Sequence, residues 1–368
     1  MSRNLKQVLL TLWIVALSIP AAAQELGSLA ALDLRIERCP AGQIIAIDLG
    51  DQWLTDADLK QLASFPALER IRLARTKITD LGLEHLAPLE GVKTLDLEYA
   101  EYVTDRGIAH LKHWRNLEHL NLRGTKVTST VFEHVSSMKK LKFLDVGYSR
   151  VNDDFFENLG ELEQLEHFAF GGNKLSGAAL PLLKLLPALK ELDVSGNQRT
   201  DSGLWGVAMN DFNVDQIAQL SQLEVLDLGE TGVSDRGVAR LAQLPHLRRL
   251  DLRGTRVTRQ GLSALTSLAN LTRLSLWRAE GVDDGAIPAL LEMRSLEILE
   301  ISETKISAAG VGQLTQMRGL RQLFVGGLEL SAEQLEILRR ELPECRVSWW
   351  EKPNIAQPPR RGRRGANR

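Results

Sequence analysis

One pattern dominates the chain. L-x-x-L-x-L, or an apolar equivalent, starts at Ile44, Leu68, Val92, Leu117, Leu141, Leu165, Leu189, Leu223, Leu247, Leu271, Leu296 and Leu320, with a degenerate last copy from Glu344 (Val347, Trp349). Successive starts lie 24 residues apart, except for two steps of 25 and one of 34. A register held over 300 residues is not chance; it marks a repeat architecture in which no unit buries its own apolar face and stacking buries it against neighbours. Composition agrees: 66 of the 368 residues are Leu, while aromatics are only 5%. Length alone suggests two or three domains, but a solenoid grows along one axis, so residues 44–350 read as one domain.

Other columns define the unit. Eight residues after most starts comes a small polar residue (Thr76, Thr125, Ser149, Asn173, Asn197, Thr231, Thr255, Thr304), suited to satisfy the backbone of the turn leaving a strand. A column of twelve helix-cap types follows: Thr55, Thr79, Thr104, Thr128, Asn152, Ser176, Thr200, Ser234, Thr258, Asp283, Ser307 and Ser331. Gly recurs in the next turn (Gly82, Gly107, Gly203, Gly237, Gly261, Gly310), where close approach of neighbouring helices would justify its cost. Each unit is thus a short strand, a turn, a capped helix and a turn. Thirteen strands about 4.8 Å apart would span roughly 60 Å.

The run L-x-x-L-x-L-x-x-T-x-[IV]-[TS]-D-x-G-L, as in 68–83 and 247–262, resembles the helix-bearing, ribonuclease-inhibitor-like leucine-rich repeat and is most similar to its secreted bacterial versions. The resemblance covers roughly residues 44–349. It implies an α/β horseshoe, with a parallel sheet on the concave face and helices on the convex face, that recognises another molecule, usually a protein, on its concave side.

The ends read differently. Residues 1–23 carry Arg3 and Lys6, then an uncharged apolar stretch from Val8 to Ile19, Pro20 and Ala21-Ala22-Ala23, the pattern of an export signal cleaved after Ala23. The expected site of action is therefore the periplasm, the cell surface or the exterior. No run of 18 apolar residues offers a membrane span. Residues 24–43 should cap the open core, with Leu29, Leu32 and Ile36 at helical spacing; Trp349 and Trp350 should seal the far end. Cys39 and Cys345 fall at opposite ends, too far apart for the roughly 7 Å that a disulfide allows, so two free thiols are expected. The seventh unit is ten residues too long, with the surplus near 205–215: a drifted loop or lengthened helix, or a partner anchor through Trp205, Met209 or Phe212. The tail 351–368 is Pro-, Gly- and Arg-rich. It reads as solvated chain, or as a tether in which Arg360, Arg361, Arg363 and Arg364 hold an anionic envelope polymer.

Net charge is −2. Residues 1–23 carry +2 and residues 351–368 carry +5, which leaves −9 on the body; nothing suggests nucleic acid. Catalytic, metal and cofactor motifs are absent. His85, His110 and His134 share one helix register, and packed helices keep them apart. The informative surface is concave. Side chains alternate along a strand, so the third, fifth and seventh residues of each copy face outward. Seven of twelve in the fifth column are acidic, including Asp96, Asp145, Asp193, Asp227 and Asp251. With Phe143, Tyr148, Arg249, Arg273 and Trp277 they form the candidate partner-binding set, since aromatic and Arg side chains anchor interfaces. The alternative for each Asp is simple duplication of an L-D-L unit. The expected protein is a monomeric, non-catalytic secreted scaffold that binds a protein ligand. The other reading is an envelope adhesion or carbohydrate-binding protein tethered by its tail.

Overall fold

A computed structural model describes Leu29, Leu32, residues 34–200 and residues 203–351. The expected export signal and the tail arginines Arg360, Arg361, Arg363 and Arg364 lie outside the described residues. The structure is a leucine-rich repeat solenoid built on one sheet of fourteen strands. Units are numbered here 1 to 13 by their pattern starts. Their thirteen strands, from Ile44–Asp48 in unit 1 to Arg346–Ser348 in unit 13, pair in parallel and in chain order. Register is strict: each outward residue faces its counterpart in the next unit, 24 or 25 residues on and 34 across the long unit 7, as in His119↔Phe143↔His167↔Glu191↔Val225.

The inward residue of every strand joins one continuous core with the other apolar columns, and most of these residues have no measurable exposure. Aromatics join the core in units 3 to 6: Trp114, Phe132, Phe156, Phe168 and Phe170 are fully buried, and the four Phe rings pack with centroids 4.8 to 6.1 Å apart. The convex side carries short helices such as Asp80–Leu86 and Asp235–Leu241; units 5 and 6 substitute 3-10 turns at Phe156–Glu161 and Leu180–Leu185. Among the described residues no helix is long and apolar enough to cross a membrane.

The turn leaving each strand has a fixed construction. One residue per unit is left-handed, among them Arg75 (φ 56°), Tyr99 (φ 54°), Tyr148 (φ 54°), Gly172 and Gly254. The polar residue after it closes the turn: the hydroxyls of Thr76, Thr125, Thr231, Thr255 and Thr304 donate to the carbonyl three residues back at 2.6 to 2.7 Å. The same position in unit 6, Asn173, is fully buried and bonds the backbone of Val146, Val151 and Phe170.

Two segments depart from expectation. Residues Arg35–Arg38 form a strand, not a helix, paired antiparallel with Ile44–Asp48. The physical reason is the open edge of the first strand, whose N–H and C=O groups need partners that a helix cannot supply. The surplus of unit 7 lies earlier than expected. It forms a β-hairpin, Asn197–Thr200 with Gly203–Gly206. Thr200, read as a helix cap, sits in that hairpin. The cap column is taken up by Asn210, whose Oδ1 accepts from the N–H groups of Phe212 and Asn213 just ahead of the short helix Val214–Ile217. Ten residues, 198–207, therefore separate Asn197 from the resumed pattern at Ala208. Met209 is buried, Trp205 half-buried, and Leu204 and Phe212 exposed. At the far end Trp349 packs on the core and donates to the Leu328 carbonyl at 3.3 Å, while Trp350 lies over Gly326 and is 43% exposed. Cys39 and Cys345 are free thiols.

Candidate functional site

The outward side chains build the concave face column by column. In the fifth column each carboxylate has a structural use. One oxygen of Asp96, Asp145, Asp193, Asp227 and Asp251 accepts the backbone N–H two residues on, at 2.7 to 3.0 Å. Asp48, Asn121 and Glu300 do the same. The column thus repeats because an acceptor there ties the strand to its turn, the bond that Asx turns use.

Arginines of the same or a nearby unit reach most of these carboxylates. Arg123 Nη1 lies 3.3 Å from Asp145 and 3.9 Å from Asp193. Arg253 Nη1 bridges Asp227 at 2.8 Å and Asp251 at 2.6 Å, and its Nη2 donates to Ser195. Arg72 bridges Asp48 at 3.0 Å and Asp96 at 3.3 Å. The stripe that reads as acidic in sequence is therefore three clusters in which one guanidinium holds two strand carboxylates, and Asp96 belongs to a different cluster from the other four. Burial pushes the carboxyls of Asp96 and Asp145 up, against the pull of Arg72 and Arg123. Asp227 is pushed up to about 6 by burial and then by Asp193 and Asp251 on either side. Burial opposes the charge on Arg123, but Asp145 and Asp193 outweigh it and raise its pKa.

The third column supplies the aromatic element. His119, Phe143 and His167 stack across three adjacent strands, with centroids 3.9 and 4.2 Å apart and planes within 11° of parallel. His167 Nδ1 then lies 3.2 Å from Glu191 Oε2, whose other oxygen meets Arg249 Nη2 at 2.8 Å, reaching across the strand of unit 8. The bond to His167 and the charge of Arg249 lower the Glu191 pKa despite burial. Burial, then the charge of His167, brings His119 down to about 4. Arg273, next along the column, is exposed; among the described residues it makes no close ion pair, though its charge acts on Glu300.

Tyr148 lies behind this row, its ring 4.5 Å beneath the Arg123 guanidinium. It crosses Gly196 so closely that a Cβ there would stand 2.0 Å from its hydroxyl, so only glycine fits. Trp277 donates from Nε1 to Glu303 at 3.2 Å. It walls an open cleft of about 660 Å³ whose other sides are Asn197 of the hairpin, Glu230, Arg253, Arg256 and Arg278. The structure thus joins Phe143, Asp145, Tyr148, Asp193, Asp227, Arg249 and Asp251 into one continuous patch over units 5 to 9, while Asp96 and Trp277 lie outside it. Sequence reasoning left out Glu191, the hinge of the patch; its signal was the one carboxylate among the third-column residues from Ala46 to Gln322, between His167 and Arg249. No cluster of His, Cys, Asp or Glu among the described residues could hold a metal ion.

Sheet, helices and outward columns together are those of the leucine-rich repeat fold. A leucine-rich repeat family model matches residues 243–265. Among solved structures the chain is similar to an internalin from Listeria monocytogenes, with 17% identity and TM-score 0.59, covering 91% of this chain and 89% of that one. It also aligns with a leucine-rich repeat protein from Leptospira interrogans, with 18% identity and TM-score 0.44 over 83% and 89% of the two chains. A third is the ectodomain of the receptor kinase GASSHO1/SCHENGEN3 from Arabidopsis thaliana, solved in complex with Casparian strip integrity factor 2, with 15% identity and TM-score 0.48 over 83% and 44%. No curated protein matches the sequence. Leucine-rich repeat proteins typically serve as non-enzymatic scaffolds for protein–protein interaction.

Proposed function

We propose that this chain is an exported, non-catalytic scaffold that binds a protein partner on the concave face of units 4 to 10. The observation that carries the reading is the His119–Phe143–His167 stack, continued by Glu191, Arg249 and the exposed Arg273. These side chains are fixed on strands and by one another before any ligand arrives, so little ordering cost remains on binding. They combine an aromatic centre with guanidinium donors, the residue types that anchor protein interfaces. The carboxylates take part as the shell that orients the arginines. Export is supported by Arg3, Lys6, the apolar stretch to Ile19 and the Ala21–Ala23 site; the amino terminus of the mature protein is expected at Gln24.

A photo-crosslinking residue placed at Phe143 or Arg273 tests the face, with one at the exposed convex Glu84 as reference. The expected result is a protein adduct specific to the two concave probes. Identical adducts from all three positions, or none from the concave pair, would overturn the assignment.

A further inference from the structure

The two rims of the sheet differ in how they handle charge. On the rim where strands begin, sign alternates unit by unit: Glu69, Lys93, Glu118, Lys142, Glu166, Lys190, Glu224, Arg248. Neighbours pair, with Lys93–Glu69 at 2.8 Å, Lys142–Glu118 at 2.7 Å and Lys190–Glu166 at 3.0 Å. That rim neutralises itself.

The opposite rim, two residues before each helix cap, reads Trp53, Lys77, Tyr102, Lys126, Arg150, Lys174 in units 1 to 6. A second short backbone ladder holds this row: the N–H groups of Lys126 and Arg150 each donate to the preceding unit, to Val103 and Val127, at 2.9 Å. Tyr102, Lys126 and Arg150 therefore stand about one strand separation, ~4.8 Å, apart, and Lys174 takes the same position in the next unit. None of the four cations has a carboxylate partner among the described residues. Lys77 and Lys126 instead lie over ring faces, 4.3 Å from the Trp53 centroid and 4.9 Å from that of Tyr102. Trp53 is 81% exposed and Tyr102 48%. The aspartates that follow the caps are committed elsewhere, since Asp56, Asp80, Asp105 and Asp153 each accept from the cap of the next unit. Glu101, beside Tyr102, is the acidic residue within the row's own segment.

We propose that this rim binds a linear acidic polysaccharide carrying a carboxylate on each sugar, a polyuronate. Three features favour it. The row offers evenly spaced, uncompensated cations at a separation close to the length of one pyranose unit, so linked anions engage linked cations and each contact raises the effective concentration for the next. Exposed Trp and Tyr planes at one end offer flat apolar surface with a polar edge, which suits the C–H face of a sugar ring. Trp53, Lys77, Tyr102, Arg150 and Lys174 are exposed, and Gln198 of the hairpin reaches back only to the Ser149 carbonyl beside Arg150, so an extended polymer can reach the row. Single-stranded nucleic acid is the competing polyanion, but its binding platforms stack successive bases on successive aromatics, whereas here the run from Lys126 to Lys174 is cationic throughout. The concave face plays no part in this site, so the two readings stand or fall separately.

The test uses the full chain in affinity electrophoresis through gels containing polygalacturonate, dextran or a poly(dT) oligonucleotide. Four variants accompany the native protein: Lys126→Glu/Arg150→Glu/Lys174→Glu; Trp53→Ala/Tyr102→Ala; Lys93→Glu/Lys142→Glu on the other rim; and Arg360→Gln/Arg361→Gln/Arg363→Gln/Arg364→Gln in the tail. Polygalacturonate should retard the native protein and dextran should not. The triple variant should lose at least tenfold in affinity and the aromatic pair at least threefold, while the other-rim and tail variants stay within twofold. All row residues are at the surface, and unchanged thermal unfolding of the variants confirms that the loss is of binding. No retardation of the native protein, equal loss in the tail or other-rim variant, or tighter binding of poly(dT) than of polygalacturonate would each overturn the proposal.

Discussion

Asp145 shows what a concave residue does at the scale of single atoms. It is 7% exposed, accepts from the Gly147 N–H at 2.7 Å and faces Arg123. Asp145→Ala leaves a buried N–H without an acceptor and a guanidinium with only the more distant Asp193, a loss of about 2–4 kcal/mol. Asp145→Asn keeps the acceptor for Gly147, so it should cost roughly half as much. Urea unfolding of the two variants checks this, and equal losses would mean that the turn bond contributes nothing. Asp227 gives a pH signature. Its folded pKa of about 6 lies above the unfolded value of about 3.9, so the folded state binds the proton more tightly and this group's contribution to stability falls as pH rises between those values. Asp227→Asn removes that slope while retaining an acceptor for Gly229. The difference in Tm, variant minus native, should be more positive at pH 7.5 than at pH 4; a pH-independent difference would contradict the shift.

At the scale of elements, successive units are joined on the convex side by a clamp. Where an aspartate follows a cap it reaches the next cap: Asp80 accepts from the N–H and the hydroxyl of Thr104 at 2.8 and 2.7 Å, and Asp56, Asp105, Asp211, Asp235 and Asp284 repeat the pair of bonds. Glycine then makes room for it, since a Cβ on Gly107 would stand 2.6 Å from Asp80 Oδ1. Where a unit carries D-x-G, as at Asp80–Gly82, Asp105–Gly107 and Asp235–Gly237, its aspartate serves the next unit and its glycine admits the aspartate of the one before. Gly107→Ala should cost about 1–3 kcal/mol, and part of that cost should vanish in an Asp80→Ala background. A coupling of at least about 0.5 kcal/mol is expected between the two sites; strict additivity would place the strain on Leu83 instead. Strand, turn and cap columns were legible because their period is fixed. The clamp was not, because its bonds cross between units, although the glycines pointed to close approach. The hairpin escaped because Thr200-Asp201 copies the cap-plus-aspartate pair that Asn210-Asp211 supplies ten residues later. Deleting residues 198–207 restores the 24-residue spacing and joins Asn197 to Ala208. That deletion should leave the circular dichroism spectrum unchanged, and gross unfolding would make the hairpin part of the core.

Across the whole molecule, the near-neutral sequence total divides into an acidic body and a basic tail, and the body's charge is in turn arranged by face. Concave carboxylates are bridged by arginines, one rim alternates in sign, and the other rim keeps its cations unpaired. The sheet itself is nearly one-dimensional, so each unit draws stability from its own packing and from two neighbours. Packing is not uniform along the stack. Units 3 to 6 hold the fully buried Trp114, Phe132, Phe156, Phe168 and Phe170, whereas the ends close on partly buried residues such as Leu34, Ile36, Val347 and Trp349. Amide hydrogen exchange should therefore be slowest in units 4 to 6 and quicken towards units 1 and 13, because local opening follows the density of buried apolar contacts. Phe156→Ala, which opens a cavity in the aromatic cluster at a cost of about 3–5 kcal/mol, makes the argument testable along the chain. Protection should fall in units 4 to 7 and stay unchanged in units 11 to 13. An equal fall in every unit would show instead that the solenoid unfolds as a single cooperative body.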